Sequence, residues 1–477
     1  MSGVQDMRNG DGESSGFHRR RGSHEPRARR VLVFPLPFQG LIDPMLHLAC
    51  ALHARGLAVT VLHTSFNALN PALHPEFMFV EVPDGTPAEV AAKGGVMDII
   101  LAMNAAMEAS TAVRDALASV VADEGQPRVS CIFTDANLLA VQKAAAALGL
   151  PTMVLRTGSA ACLGCFLAYP MLHEKGYLPR QESQLYTPVP ELPPLRVKDL
   201  IFSKHCSHEM VRRVLARATE TVRSCSGLVI NTIEALEPDE MQRIRDELAD
   251  LPVVLAAGPL HKLSSNSSGS SLLDQDYSCI KWLDTQRSGS VLYVSFGSLA
   301  SMDADEFLEL ARGLADSGHP FLWVVRPKQV VDCESESARL PDGFEEAVEG
   351  RGMVIRWAPQ REVLAHPAVG GFWTHGGWNS TLEGISEGIP MICSPDAIDQ
   401  MMNTRYVQDV WGVGFELEGE LERGNIKNAI EKLMNEREGA EMRERAKQLS
   451  KRIACCLESS GSSQIAINKL VNYILSL

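Results

Sequence analysis

Between Trp357 and Gln400 the chain reads WAPQREVLAHPAVGGFWTHGGWNSTLEGISEGIPMICSPDAIDQ, a stretch dense in residues that can do chemistry together. HGGWNSTLE follows the apolar run GGFWT, so its glycines stand where a buried strand gives way to a helix. There the backbone can approach a ligand closely, and the N–H groups and dipole of the helix N-terminus favour an anion such as a pyrophosphate. Glu383 comes four residues after Asn379, one helical turn on and on the same face, where a carboxylate can accept from two hydroxyls. Trp357 ends another apolar run, MVIRW, and its indole can stack on a planar base, a contact of ~1–3 kcal/mol. Singly, each has a plainer reading: core tryptophans, a structural histidine at His366, a solvated helix glutamate. In this order and at this spacing the plain readings no longer account for the set.

The elements that must position these residues follow an alternating pattern. RVLVFPL (30–36) is a short apolar run ending in Pro and Gly, as a buried parallel strand does, and a helix is predicted from about Pro44 to Gly56. LAVTVLH (57–63), FMFVEV (77–82), VSCIFT (129–134), TMVLR (152–156) and GLVIN (227–231) repeat the strand pattern, mostly with helical stretches between. Residues 261–276, HKLSSNSSGSSLLDQD, break the composition and read as a solvent-exposed linker. Beyond it SVLYVSFGS (290–298), PFLWVVR (320–326), MVIRW, GGFWTH and PMIC (390–393) form a second set. The prediction is an α/β protein with two doubly wound parallel sheets. Its units are 30–260, 277–461 and a last helix over 462–477.

The stretch 357–400 resembles the C-terminal signature box of plant UDP-sugar-dependent glycosyltransferases at Trp357, Pro359, Gln360, His366, His375, Gly377, Trp378, Asn379, Ser380, Glu383, Gly388, Pro390, Pro395, Asp399 and Gln400. Upstream, FPLPFQGLIDPMLHLACALHARGLAVTVLHTSFNALNP, VPDGTP, LRTGSAACLGCFLAYPMLHEKGYLP and VPELPPLRVKDL resemble the benzoxazinoid UDP-glucosyltransferases of grasses, which act on cyclic hydroxamic acids. The resemblance runs from about Arg30 to Leu477 and implies the GT-B fold, with the last helix crossing back to the first domain. It implies that His375, Asn379, Ser380 and Ser298 contact the pyrophosphate. Trp357, Ala358 and Gln360 would hold the uracil and ribose, and Glu383 both ribose hydroxyls. Asp399 and Gln400 would bind the sugar with Trp378 beside them, Gln400 being associated with glucose. Thr157 matches a position that touches the nucleotide sugar. UDP-glucose and a small hydroxylated acceptor are the implied substrates, with no metal or other cofactor.

The same resemblance exposes a gap. Transfer with inversion requires the acceptor proton to leave, normally to a histidine oriented by a buried aspartate. Asp135 matches the aspartate, but the family pattern Gln-Gly-His-Ile-Asn-Pro reads here Gln39-Gly40-Leu41-Ile42-Asp43-Pro44. Leucine has neither a lone pair nor a titratable proton, and a general base is worth ~10²–10⁴-fold. Asp135 could take the proton itself, directly or through water, since burial raises a carboxyl pKa. Asp43 reads as a local cap beside Pro44. His47 lies about 240° round the helix from Leu41 and is expected to face away from the cleft. A fourth route needs no base, because a hydroxamic acid is partly ionised near neutral pH. Two readings stay open: an active glucosyltransferase for acidic acceptors, or a relative that binds UDP-sugar or a small ligand without turnover. A UDP-sugar epimerase is disfavoured, because the signature box belongs to the transferases.

Bulk properties narrow the class. A length of 477 residues exceeds one core, and a net charge of −14 leaves no basic surplus for nucleic acid. Eleven scattered cysteines suit a reducing compartment; Cys162 and Cys165 lie in an apolar run and read as core, and no spacing suits zinc. No apolar run reaches the ~18 residues a membrane helix needs. Residues 1–29 carry no apolar signal core and read as a disordered tail, leaving the cytoplasm as the expected location. The oligomeric state stays open, with a monomer as the default.

Overall fold

The structure, a computed structural model, describes residues 29–204, 206–264, 271–327, 329–330 and 339–477. The tail reading for 1–29 therefore lies outside the described residues except at Arg29, which opens the first strand. Seven strands form the first sheet: β1 (Arg29–Phe34), β2 (Ala58–Thr64), β3 (Met78–Val82), β4 (Arg128–Asp135), β5 (Thr152–Arg156), β6 (Gly227–Ile230) and β7 (Val254–Ala256). All pairings are parallel, in the order β3-β2-β1-β4-β5-β6-β7. Six more form the second: β8 (Val291–Ser295), β9 (Phe321–Val324), β10 (Gly352–Ile355), β11 (Val369–Thr374), β12 (Met391–Cys393) and β13 (Gly414–Glu416), again parallel, in the order β10-β9-β8-β11-β12-β13. The predicted α/β class with two doubly wound sheets is what the structure has.

In each sheet the strand order reverses once, between β1 and β4 and between β8 and β11. Register puts Phe34 opposite Thr134 and Ser295 opposite Thr374, so the loops after these four strands splay apart at the two switch points. Ligands of open α/β sheets bind in that crevice. Residues at 39–44, 135–137, 297–298 and 375–383 end or follow one of those four strands.

The first helix spans Gln39–His53, five residues earlier than predicted, with Pro44 inside it. Proline lacks the N–H that would reach the Gly40 carbonyl one turn back. That carbonyl instead accepts from Asn379 Nδ2 at 2.7 Å, a bond across the cleft. The residue Leu41 thus sits in the first helical turn. Asp43 is not a cap but accepts from Gln39 Nε2 at 2.8 Å, one turn back on the same helix.

The Ser462–Ser476 helix returns to the first sheet, burying Ile467, Leu470 and Ile474 among Val31, Val33 and Cys131. Within 261–276, His261 and Lys262 belong to a short helix, and Leu272 N–H donates to Gln39 Oε1, so this segment touches the rim of the cleft. Among the described residues no single helix is long and apolar enough to cross a membrane. Cys162 and Cys165 are buried thiols in the Ala160–Glu174 helix.

Candidate active site

A cavity of about 350 Å³ opens between the two switch points. The second-half residues expected to touch the nucleotide sugar all border it: Ser298, Trp357, Ala358, Gln360, His375, Trp378, Asn379, Ser380, Glu383, Asp399 and Gln400. From the first half, Leu41 and Thr157 border it too, but Asp135 does not.

The anion end is built on two glycines. Gly297, at φ +70°, lets the β8 loop fold onto the imidazole of His375; a Cβ there would stand 2.4 Å from the ring. A Cβ on Gly377 would stand 2.5 Å from the other side of the same ring. Burial, and then the nearby Arg326, push the His375 pKa down to about 4, so the ring is neutral at pH 7. Its Nδ1 is buried without a hydrogen-bond partner among the described residues. Arg326 donates from Nε to the Gly297 carbonyl at 3.1 Å and from Nη2 to Ala300, fixing the loop that carries Ser298.

A substitution at Gly297 should therefore act on the anion end alone. In Gly297→Ala the methyl group meets His375 and the backbone must leave its left-handed conformation, a strain of ~1–3 kcal/mol. Calorimetric titration should show UDP binding weakened about tenfold or more. Unchanged UDP affinity would remove this loop from the site.

Beside it, Gln360 Nε2 donates to Glu383 Oε2 at 2.7 Å and to Ser380 Oγ at 3.1 Å, and Tyr293 donates its hydroxyl hydrogen to Gln360 Oε1 at 3.2 Å. Burial raises the Glu383 pKa to about 7, against the pull of Gln360 and Arg361. Trp357 is half-buried, leaving part of its ring to the cavity. Gln400 Oε1 accepts from the backbone N–H groups of Asp396 (2.7 Å) and Ala397 (3.1 Å), which leaves its amide nitrogen as the donor end. Trp378 borders the cavity while its indole, only 4 % exposed, donates to the Asn231 carbonyl at 2.7 Å and so ties the two halves together. His366 is structural, accepting from Ala368 N–H at 3.2 Å and facing Asp284 Oδ1 at 3.2 Å.

In the first half, Asp135 is 1 % exposed. Its Oδ1 accepts from the N–H and Nδ2 of Asn137, both at 2.8 Å, while Oδ2 has no partner among the described residues. Burial raises its pKa, opposed by Asn137 and Arg156. Asp399 is likewise raised by burial and opposed by Arg156.

Arg156 itself was not singled out from the sequence. It ends β5, borders the cavity and is within electrostatic reach of both carboxyls; burial works against its charge, but Cys162, Asp135 and Asp399 outweigh it and hold the pKa above the usual value. A cation closing the apolar strand TMVLR was the available signal. Phe38, Val96, Met97, Ile100, Phe166, Val214 and Leu215 supply an apolar wall from loops and helices that no linear motif connects. His47 also corrects expectation. It borders the cavity at the junction of the two halves, where its Nε2 accepts from Arg361 Nη1 at 3.1 Å. Burial, followed by Arg361, holds its pKa near 3, so it stays neutral there. Away from the cavity, Cys50, His74 and Glu76 bring ligand atoms within 4.8 Å of one another, a grouping the sequence spacing hides.

Comparison with known proteins agrees with this geometry. Residues 230–451 match the family described as "UDP-glucoronosyl and UDP-glucosyl transferase". A Zea mays protein, DIMBOA UDP-glucosyltransferase BX9, is 49% identical over 423 residues, 88% of this chain and 90% of its own length. DIMBOA UDP-glucosyltransferase BX8, also from Zea mays, is 47% identical over 93% of this chain and 98% of its own. Among solved structures, Os79 from O. sativa in complex with UDP superposes with a TM-score of 0.79 at 25% identity, covering 93% of this chain and all of its own. Phytolacca americana UGT2, complexed with UDP-2fluoro-glucose and pterostilbene, gives 0.78 at 28% identity, covering 94% of this chain and 100% of its own.

Proposed function

The chain belongs to the UDP-glucosyltransferase family, with the GT-B fold and relatives among the benzoxazinoid glucosyltransferases, and on that premise we propose that it moves glucose from UDP-glucose to small acceptors acidic enough to arrive ionised. One observation carries the reading. The residues that match the family's nucleotide-sugar positions border one cavity, and Leu41, at the position of the family's histidine, borders it with them.

UDP-glucose lies with its pyrophosphate at His375, Ser298 and the start of the Trp378–Glu387 helix, where neutral imidazole and backbone N–H groups meet the anion. Trp357 stacks on the uracil, Ala358 and Gln360 flank it, and Glu383 accepts from the ribose hydroxyls. Asp399 and Gln400 hold the sugar with Thr157 opposite. The acceptor oxygen attacks the anomeric carbon from the face opposite UDP. A new C–O bond forms as the bond to the UDP oxygen breaks with its electron pair, and the configuration inverts. An ordinary alcohol must lose a proton in this step, and Leu41 cannot take it. Asp135 does not border the cavity, and in this reading it takes no proton directly from the acceptor. A hydroxamic acid has already released its proton to solvent, so absence of the base costs it least.

The test is product formation from UDP-glucose with a cyclic hydroxamic acid and with a simple phenol. We expect a glucoside of the acid, with kcat/KM rising with pH up to the acceptor's own pKa and flat above it. The phenol should react about 10²-fold more slowly or worse. Leu41 also favours a second reading, a UDP-sugar-binding relative without turnover. Tight UDP-glucose binding with neither glucoside formed would establish that one instead.

A further inference from the structure

Arg156 is an unusual presence in an apolar cavity. It is 6 % exposed, and its guanidinium packs 4.4 Å from the centre of the Phe166 ring. It also lies over Gly158, where a Cβ would stand 3.0 Å from Nη2. These two contacts fix the plane of the group without using its hydrogens. Its one hydrogen bond from the side chain, among the described residues, runs from Nη2 to the sulfur of Cys162 at 3.1 Å, a weak acceptor. Nε is buried without a partner. A guanidinium carries five donors in a rigid fork suited to a planar anion, and a buried cation this poorly satisfied is costly unless something completes it. Leu41, Asn137, Thr157 and Phe166 border the same cavity, so the cation stands on the acceptor side of the site.

We propose that Arg156 is the specificity-determining residue for the acceptor, receiving the negative charge of an ionised acceptor oxygen and its neighbouring carbonyl. This rests on the reading of an acidic acceptor and adds to it the group that selects one. Asp135 on β4 and Asp399 after β12 favour the charged form of the guanidinium, and the acceptor meets it from the cavity that Arg156 borders. A neutral ligand of the same shape gains only the apolar wall. An anion gains a charge-assisted contact as well, a preference of about 10- to 100-fold.

The experiment measures dissociation constants, in the full chain with UDP bound, for a cyclic hydroxamic acid above its pKa and for the matching lactam that lacks the N-hydroxyl. Wild-type protein should favour the acid about 10- to 100-fold. In Arg156→Gln that ratio should fall close to one, with lactam and UDP affinities kept, and Arg156→Lys should retain part of it because the charge stays while the fork is lost. UDP affinity reports folding of each variant, and if the Gln variant does not fold, the Lys variant decides: an undiminished ratio there overturns the proposal. A ratio unchanged in Arg156→Gln, or an equal loss for acid and lactam, overturns it too. Binding needs no turnover, so the two ideas separate. A glucoside formed with an Arg156-independent ratio removes this inference alone, whereas an Arg156-dependent ratio without any glucoside removes the glucosyltransferase reading alone.

Discussion

Replacing Leu41 by histidine is expected to raise glucosylation of a simple phenol by about 10²–10⁴-fold while changing that of a hydroxamic acid by only about threefold. Asn137 holds Asp135 Oδ1 with two 2.8 Å bonds and leaves Oδ2 without a partner, so the carboxylate is oriented with one oxygen to spare. Leu41 borders the cavity from the first turn of the Gln39–His53 helix. An imidazole there would donate from Nδ1 to that oxygen and turn Nε2 toward the acceptor, one tautomer held by a carboxylate. Activity on the phenol should then rise with pH as the imidazole loses its proton, a limb the native protein lacks. Initial rates with both acceptors decide it. An equal gain on both would mean that the hydroxamic acid also reacts as a protonated species, and the base-free route would be wrong. No gain on either would mean that Asp135 Oδ2 does not serve position 41.

Why one half of the site was legible in the sequence and the other was not follows from how each is built. The nucleotide side is carried by one stretch, β10 to the Gln400–Arg405 helix, in which local chain geometry fixes nearly every neighbour. Spacing in sequence there is spacing in space, and the residues expected to touch the nucleotide sugar border one cavity. The acceptor side is assembled from the ends of β1, β4 and β5 and from the helices around them. Only the sheet order β2-β1-β4-β5 brings those ends together, and order is not written in any local pattern. Arg156 shows the consequence, since a cation at the end of an apolar strand signals something but does not say what it faces. Pro44 misled in a different way. It reads as a helix start, yet its missing N–H is tolerated deeper in the helix because Asn379, 339 residues away in sequence, satisfies the Gly40 carbonyl. The three-residue edge strands β7 and β13 are too short to carry a pattern.

Glu383 offers the second large effect, and its sign differs with and without donor. In the unliganded protein burial holds its pKa near 7, against an ordinary 4.5. Between those values the native state keeps a proton that the unfolded chain has released, so stability falls as pH rises from about 4.5 to about 7 and levels off above. Glu383→Gln has no proton to lose, and its amide oxygen can still accept from Gln360. The variant should match wild type near pH 4 and be more stable by about 1–3 kcal/mol at pH 8 without ligand. UDP reverses the order. A carboxylate can accept from both ribose hydroxyls, an amide from only one, and losing that contact should weaken UDP binding by about 10- to 100-fold. Because ligand stabilises a protein in proportion to RT ln(1 + [L]/Kd), saturating UDP should raise the wild-type melting temperature past that of the variant. Thermal melts at pH 4 and 8, with and without UDP, carry the whole comparison. A variant less stable than wild type at pH 8 without UDP would show that the Glu383 carboxylate is held ionised by the site. A variant that keeps full UDP affinity would show that Glu383 serves the Gln360 network and not the ribose.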